Sequence, residues 1–214
     1  MMSVSAGQVK ELRDKTGAGF MDAKKALQET EGNMEKAAEY LRQKGITSAE
    51  KKMARIAAEG LIGSYIHNGK IGVLVEVNCE TDFVAKTEEF QQLVKDICLQ
   101  IASSAPDYVS RNEIPESIIE EEKRIELGKA DLIGKPPEIA QKIVNGRVTK
   151  LFSTRILLEQ PFIKDTNINI EELIKSKIAK IGEKISIRRF TRYVLGEGLE
   201  KKQSDFTQDI VLPE

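Results

Sequence analysis

Histidine, cysteine and tryptophan are scarce in this chain of 214 residues, which has one histidine, two cysteines and no tryptophan. The histidine, His67, falls in a predicted turn with no carboxylate near it in the sequence, and a general base needs an orienting partner. Cys79 and Cys98 lack the spacing of a zinc or redox motif. Cys98 lies on the apolar stripe of a predicted helix, where we expect a buried thiol. We therefore predict no enzyme, no catalytic residue and no metal or cofactor, and we expect His67 to be an exposed turn residue or a contact to a protein partner.

Two acidic or glycine-containing patterns also fall short of a chemical site. Glu80 and Asp82 form one short acidic pair, whereas magnesium and calcium sites need several converging oxygens. The segment around Gly134 resembles a phosphate-binding loop superficially, but its spacing is wrong and Pro136 stands where Ser or Thr would hold magnesium. The sequence predicts that the chain itself binds no nucleotide.

An excess of charge and long apolar runs are missing as well. The chain has 33 basic and 34 acidic residues, a net charge of -1, so no global field attracts nucleic acid or an anionic membrane. No apolar run approaches the roughly 20 residues that span a bilayer, and residues 1–6 lack the layout of a signal or transit peptide. We predict no nucleic-acid or membrane partner, and a bacterial cytoplasm or a plastid stroma as the location.

One local basic run, residues 188–192, could suggest a nucleic-acid patch. Strand alternation would place Arg188 and Arg192 on the face opposite Arg189. This split favours surface ion pairs over a binding patch.

Amphipathic helices are plentiful at the N-terminus. Hydrophobic residues make up 40% and charged residues 31% of the chain, a balance that argues against disorder. Residues 1–45 predict three short helices, since apolar residues recur there at spacings of three and four. The third helix has Asn33 as its N-cap and Gly45 just past its end. We predict a docking module over 1–45 and a helical or flexible linker over 46–58.

From Ala58 onward the pattern predicts strands. Asn68-Gly69 separates the apolar runs 60–66 and 71–78, and both residues tolerate positive φ, so a β-hairpin is predicted. A helix over 88–104 has an unbroken apolar stripe that should cover one face of the sheet. A last strand is predicted over 184–195. These elements define a core over 59–200, followed by a C-terminal tail over 201–214.

Residues 115–153 predict two further helices. Gly134 would end the first and the two prolines after Lys135 would begin the second. The first helix is highly charged with few apolar positions, which suits an antiparallel helical hairpin projecting from the core, or a dimer contact. The predicted fold class is α+β: a three-helix module, a linker, and a small antiparallel sheet packed by helices with a projecting helical hairpin.

The segment Thr81-Asp82-Phe83-Val84 lies between the second strand and the long helix. A phenylalanine at such a corner either caps the core or projects as a rigid wedge into a partner, as hot-spot aromatics do. The residues alone leave both alternatives open.

Two long segments resemble the elongation factor Ts family. They are residues 12–27, LRDKTGAGFMDAKKAL, and residues 76–86, EVNCETDFVAK, in the family's order and separation. The segments 160–162 and 196–198 are similar to its C-terminal region. The resemblance covers nearly the whole chain and implies a ubiquitin-associated-like (UBA-like) fold for the three N-terminal helices.

The resemblance implies a guanine nucleotide exchange factor for elongation factor Tu in translation elongation. Such a factor binds the GDP form, displaces magnesium, promotes GDP release and holds the nucleotide-free form until GTP enters. The residues implied to dislocate the magnesium are Thr81, Asp82, Phe83 and Val84. Other partner contacts are implied for Arg13, Phe20, Met21, His67, Ile163 and Lys164.

The number of core halves sets this chain apart from longer family members, which have two. Here one hairpin-and-helix set is visible, and residues 63–67 resemble the start of the second half. The resemblance to short members implies a homodimer that restores a two-sided grip. The alternative function is a non-enzymatic adaptor, in which the helical module docks a peptide and the core serves dimerisation.

Overall fold

The computed structural model describes residues 4–199, with the side chains of 46–48 excepted, so the predicted tail over 201–214 lies outside the described residues. Its fold is α+β, as predicted. The elements in chain order are α1 (Ala6–Thr16), α2 (Phe20–Glu29), α3 (Met34–Lys52), β1 (Glu59–His67), β2 (Ile71–Cys79), α4 (Asp82–Ala85), α5 (Glu88–Ser104), α6 (Glu116–Leu127), α7 (Pro137–Ser153), β3 (Pro161–Phe162), β4 (Asp165–Asn169), α8 (Ile170–Ile181) and β5 (Ile185–Val194).

Helices α1, α2 and α3 pack around a small apolar core of their own. Ser5 and Gln8 form a capping box at the start of α1, and Gly17, with φ 68°, ends it. The three predicted helices are confirmed, while the UBA-like fold stays a prediction. The buried residues of this bundle are Val9, Leu12, Ala23, Ala26, Leu27, Ala37 and Leu41.

Helix α3 is longer than the sequence predicts. Asn33 caps it as expected, but the prediction that Gly45 ends it is wrong, because the helix continues to Lys52. A Cβ at Gly45 would lie 3.1 Å from Cβ of Ala179 on α8, so the glycine permits a close approach of two helices. Ala49 packs into the main core. The first part of the predicted linker is thus helical and attaches the N-terminal bundle to the rest of the chain.

The three-stranded antiparallel sheet has the order β1-β2-β5. The predicted hairpin turn is confirmed, since Asn68 and Gly69 have φ values of 50° and 65°. Val73, Val75 and Val77 are buried on one face of the sheet, and α5 covers this face. The bounds of α5, Glu88–Ser104, are those predicted. Cys98 is buried in that interface, as expected.

Helix α8 and the short elements α4, β3 and β4 are not anticipated by the sequence analysis. Asn169 caps α8 by accepting a hydrogen bond from the Glu172 N–H at 2.8 Å. The buried side of α8 belongs to the main core, and α3 packs against it from the N-terminal bundle. Its buried residues are Ile170, Leu173, Ile174 and Ile178.

Helices α6 and α7 form the two predicted helices of the 115–153 segment and pack against each other. The prediction that Gly134 ends the first is wrong, because α6 ends at Leu127 and a 3-10 turn, Ala130–Leu132, intervenes. Glu126 is buried and forms ion pairs with Lys129 and Arg147, which links both helices. A separate apolar cluster fills their interface: Ile114, Leu132, Val144, Val148, Phe152 and Ile156.

A β-bulge corrects the prediction for the basic run. The pairing of β2 with β5 shifts between Glu76 and Val77, so the strict alternation expected for Arg188 and Arg189 is lost. Both arginines contact the Glu76 carboxylate at 2.8 Å, which confirms the ion-pair interpretation. Arg192 instead reaches the Ala102 carbonyl at the end of α5.

Candidate functional site

The tip, defined as Thr81, Asp82, Phe83 and Val84, turns the chain from β2 into α5. Phe83 is 79% exposed, so the alternative in which it caps the core is wrong. Val84 packs partly against the core, and Ala85, just after the tip, is buried within it. Val84 and Ala85, which follow the ring in the chain, thus anchor the corner, whereas the ring itself projects outward.

Local hydrogen bonds give the tip its shape. Thr81 is extended, with φ -131°, and caps α4 by accepting a hydrogen bond from the Val84 N–H at 3.4 Å. Thr87 begins α5 directly afterwards and accepts from the Phe90 N–H. Two consecutive threonine caps therefore place Phe83 on a single helical turn between two fixed ends.

Asp82 is exposed beside Phe83. Lys86 donates to its carboxylate at 2.7 Å, four residues further along. This hydrogen bond lowers the pKa of Asp82 and raises that of Lys86. The carboxylate is charged and accessible, and an exposed pair of this kind contributes little stability, so it can exchange its lysine for another cation.

Two carboxylates from outside the tip hold its base. We call Glu80 and Glu183 the carboxylate brace. Thr81 donates its N–H and its hydroxyl to Glu183, at 3.0 and 2.7 Å. Glu80 accepts from the Lys184 N–H at 2.6 Å and from Arg55 at 3.3 Å. These contacts lower the pKa of Glu80, with the Lys184 N–H as the largest cause. The sequence analysis missed this function of both residues.

Arg13, Phe20 and Met21 lie around the connection between α1 and α2. Arg13 belongs to the last turn of α1, and Phe20 and Met21 open α2. Phe20 is 49% and Met21 73% exposed. Gly19 caps α2 without a side-chain hydrogen bond. The structure therefore brings these three predicted contact residues to one end of the N-terminal bundle.

His67 lies at the far end of the β-hairpin from the tip. Eight residue steps along β2 separate its neighbour Ile71 from Cys79, about 26 Å of strand. The Tyr65 hydroxyl contacts Nδ1 of His67 at 2.9 Å, and no carboxylate hydrogen-bonds to this ring within residues 4–199. The ring of His67 is exposed and so accessible to a partner, and among the described residues it has no carboxylate that would orient it as a general base.

Ile163 and Lys164 lie in the turn between β3 and β4. The buried Gln100 of α5 accepts a hydrogen bond from the Ile163 N–H at 2.9 Å, and Lys164 pairs with Asp96 at 2.7 Å. Gln100 is about 18 Å along α5 from the helix start beside the tip. The structure thus distributes the predicted contact residues over separate patches of the surface rather than gathering them into one cleft.

Within the described part of the chain, no group of three or more His, Cys, Asp or Glu side chains could hold a metal ion. Among the same residues, no helix has the length and apolarity to cross a membrane. An exposed aromatic on a corner held by side-chain hydrogen bonds is typical of a class of protein that acts by docking onto another macromolecule.

Comparison with known proteins specifies the class. The family model described as Elongation factor TS matches residues 10–197. Elongation factor Ts of Prochlorococcus marinus strain AS9601 is 58% identical over 212 residues, which cover 98% of this chain and 97% of the relative. The chloroplastic elongation factor Ts of Rhodomonas salina is 61% identical over 209 residues, covering 97% and 95% of the two chains. The chain belongs to the elongation factor Ts family, the nucleotide exchange factors of elongation factor Tu in translation elongation.

Proposed function

We propose that this chain releases GDP from elongation factor Tu by inserting the tip beside the partner's bound magnesium. The observation that carries the proposal is the 79% exposure of Phe83 on a corner whose backbone is fixed at both ends. A large apolar ring held in water gains free energy when a partner buries it. Because the corner is already ordered, little conformational entropy is lost on insertion.

The two protruding side chains of the tip divide the work. Magnesium bridges phosphate oxygens and holds the switch segments of a GTPase, so its displacement weakens GDP binding. Phe83 acts as the wedge, since packed elements respond to a bulky intruder by moving as units. Asp82 brings a carboxylate that can leave Lys86 for a cationic group near the metal. No bond is made or broken in this sequence of events.

Linkage then explains how the factor leaves the complex. A factor that lowers the affinity of its partner for GDP must itself bind the GDP form less tightly than the nucleotide-free form, by the same ratio. GTP entry accordingly expels the factor. Arg13, Phe20 and Met21 on one side, and His67, Ile163 and Lys164 on the other, supply contacts that hold the complex while the tip acts.

A second copy of the chain covers the outer face of the sheet in this proposal. Alternation along the strands places Ile62, Ile66, Leu74 and Tyr193 on the face opposite α5, each at least 51% exposed. No described element covers that face. A two-fold axis can bury the same apolar face of two copies against each other, and the short family members resembled by this chain are expected to dimerise. The homodimer would present two tips.

Stopped-flow release of labelled GDP from elongation factor Tu tests the exchange function. The wild-type chain should accelerate release, and Asp82→Ala should reduce the acceleration without changing the unfolding temperature. Prior chelation of magnesium should mimic part of the effect and shrink the remaining acceleration. The adaptor alternative predicts binding with no change in GDP release, and that result would replace the proposal.

Sedimentation equilibrium tests the homodimer. Leu74→Lys places a charge at the centre of the apolar sheet face, and a like charge on the partner copy opposes it. We expect the mass to fall from that of a dimer to that of a monomer, while Lys135→Glu, at the distant end of the α6–α7 hairpin, leaves it unchanged. A wild-type chain that sediments as a monomer would reject the homodimer.

A further inference from the structure

The end of strand β2 continues into the tip through side-chain contacts. The last pair of the β2–β5 ladder is Cys79 with Ile185. Extending that antiparallel register by two steps would place Glu80 opposite Lys184 and Thr81 opposite Glu183. The structure has these two pairings, but each uses a carboxylate instead of a backbone carbonyl. The brace therefore prolongs the sheet beyond its last backbone pair.

The position of Glu183 is itself determined by its neighbours. Gly182 ends α8 in the left-handed region, with φ 90°, and β5 begins at Ile185. Because only Glu183 and Lys184 lie between Gly182 and Ile185, Glu183 must lie close to the end of β2. Lys184, held by its N–H at Glu80, also donates from Nζ to the Arg55 carbonyl at 2.8 Å. Hydrogen bonds thus hold both the segment that follows β2 and the segment that precedes β5.

The direction of the hydrogen bonds matters for the tip. A threonine hydroxyl has one proton, and here it goes to Glu183, which leaves the oxygen lone pairs for the Val84 N–H. Glu183 also receives the Thr81 N–H, so one carboxylate fixes both the backbone and the cap of α4. Charge-assisted bonds of this kind are stronger than neutral ones.

From this geometry we propose that Glu183 is a positioning residue for the tip: through Thr81 it fixes the direction in which Phe83 and Asp82 project. The inference rests on the proposed exchange function, since the direction of the ring matters only if the ring enters a partner. Glu183 does not belong to the tip and acts on the partner through Thr81. Its loss should misdirect the wedge without removing any contact patch.

The experiment measures GDP release over a range of factor concentrations, which separates the maximal rate from the half-saturating concentration. We expect Glu183→Gln to lower the maximal rate about tenfold, the ratio that corresponds to loss of one charge-assisted hydrogen bond, with the half-saturating concentration unchanged. Glutamine keeps the size of the side chain but offers an N–H₂ group to the Thr81 hydroxyl. Glu171→Gln, a charge loss on the exposed side of α8, is the matched control.

Thr81 variants provide a second route if Glu183→Gln fails to fold. Thr81→Val removes the hydroxyl, and the double variant should be no slower than the slower single variant, because both changes break the same contact. Thr81→Ser should recover most of the rate lost in Thr81→Val. A rise in the half-saturating concentration with an unchanged maximal rate, or additive effects in the double variant, would overturn the positioning role.

Two controls separate this inference from the proposed function. If Phe83→Ala accelerates GDP release from elongation factor Tu as much as the wild type does, the wedge function is wrong. If Phe83→Ala is slow and Glu183→Gln is normal, only the positioning role fails. Amide hydrogen exchange at Val84 gives a readout independent of the partner: Glu183→Gln should exchange there about tenfold faster, and unchanged protection would overturn the inference.

Discussion

Two phenylalanines are exposed within residues 4–199, and they lie in different surroundings. Phe20 opens α2 after a glycine-flanked connection, and no side chain caps that helix. Phe83 lies on one helical turn between two threonine caps, and the carboxylate brace holds its base. Phe20 is 49% exposed against 79% for Phe83. The ring at the helix start without a side-chain cap is the less exposed of the two.

This difference assigns distinct physical roles to two similar side chains. A ring at a helix start that no side chain caps can adapt to a surface, and we expect it to contribute mainly affinity. A ring on a fixed corner carries its direction into the complex, so it can displace packed groups in the partner. The comparison therefore predicts that Phe20 serves binding and Phe83 serves the exchange step.

The largest effect is expected from Phe83→Ala. Removal of the wedge should lower the maximal rate of GDP release at least about thirtyfold, since truncation of a hot-spot aromatic costs about 2 kcal/mol or more. The chain should keep its unfolding temperature, because the exposed ring contributes little to the core. Stopped-flow release of labelled GDP at a saturating concentration of the factor measures this rate. Phe20→Ala is the control: because Phe20 is expected to serve binding, the variant should reach the wild-type rate at saturation.

A loss of stability in Phe83→Ala, combined with normal exchange by the folded fraction, would contradict the comparison. The ring would then be a core element despite its exposure. Circular dichroism melting curves recorded on the same samples distinguish this outcome from loss of the wedge.

The next effect comes from the packing that supports the braced corner. Gly63 of β1 faces α5, and an added Cβ would lie 2.4 Å from Cγ1 of Val94 and 2.9 Å from Sγ of Cys98. Gly63→Ala should lower the free energy of unfolding by about 1–3 kcal/mol, because a packed interface must move apart. Urea unfolding measures it at fixed protein concentration.

Gly72→Ala is the matched control for Gly63→Ala. It lies in the same sheet, and a Cβ there would meet no atom of its own chain within 4 Å. Because Gly72 lies on the face proposed to meet a second copy, both variants are compared in the Leu74→Lys background, where the unfolding midpoint of Gly72→Ala should stay close to that of its parent. Equal destabilisation by both variants would show that the sheet, and not its contact with α5, limits the stability of the corner.

The sequence predicted the frame better than the brace. Asn68-Gly69 and the apolar stripe of α5 are local patterns, and both gave the right elements because the signal lies in residues that are adjacent or three to four positions apart. The Thr81–Glu183 contact joins residues 102 positions apart, and no local pattern records such a pairing. Gly45 was assigned wrongly for a similar reason, since its role is a close approach to Ala179 of α8, an element far along the chain that the sequence analysis did not anticipate.

A moderate effect is expected from Phe20→Ala. The affinity for elongation factor Tu should fall about fivefold, which corresponds to about 1 kcal/mol for an adaptable contact of intermediate exposure. The maximal rate of GDP release should not change. Calorimetric titration of the nucleotide-free partner measures the affinity. A fall in the maximal rate without a change in affinity would reverse the roles assigned to the two rings.

The smallest effect is the loss of stability, at acidic pH, of the core that carries Phe83. Hydrogen bonds from Arg188 and Arg189 lower the pKa of Glu76 from 4.5 to about 2. A carboxyl whose pKa is lower in the folded chain stabilises the fold above pH 4.5, and this contribution is lost as the pH falls from 4.5 towards 2. Glu76→Gln should therefore flatten the decline in unfolding free energy over that window, measured by urea unfolding at stepped pH. Glu138→Gln, on the exposed side of α7, should keep the wild-type slope.

Because Glu76 lies on the sheet and Phe20 on the separate bundle, the acid-dependent loss should be visible in the environment of β2 and β5 and absent from that of α1 and α2. Equal acid sensitivity in both regions would mean that the bundle and the core unfold as one unit, and the contrast between the two phenylalanines would then lie only in their local backbone.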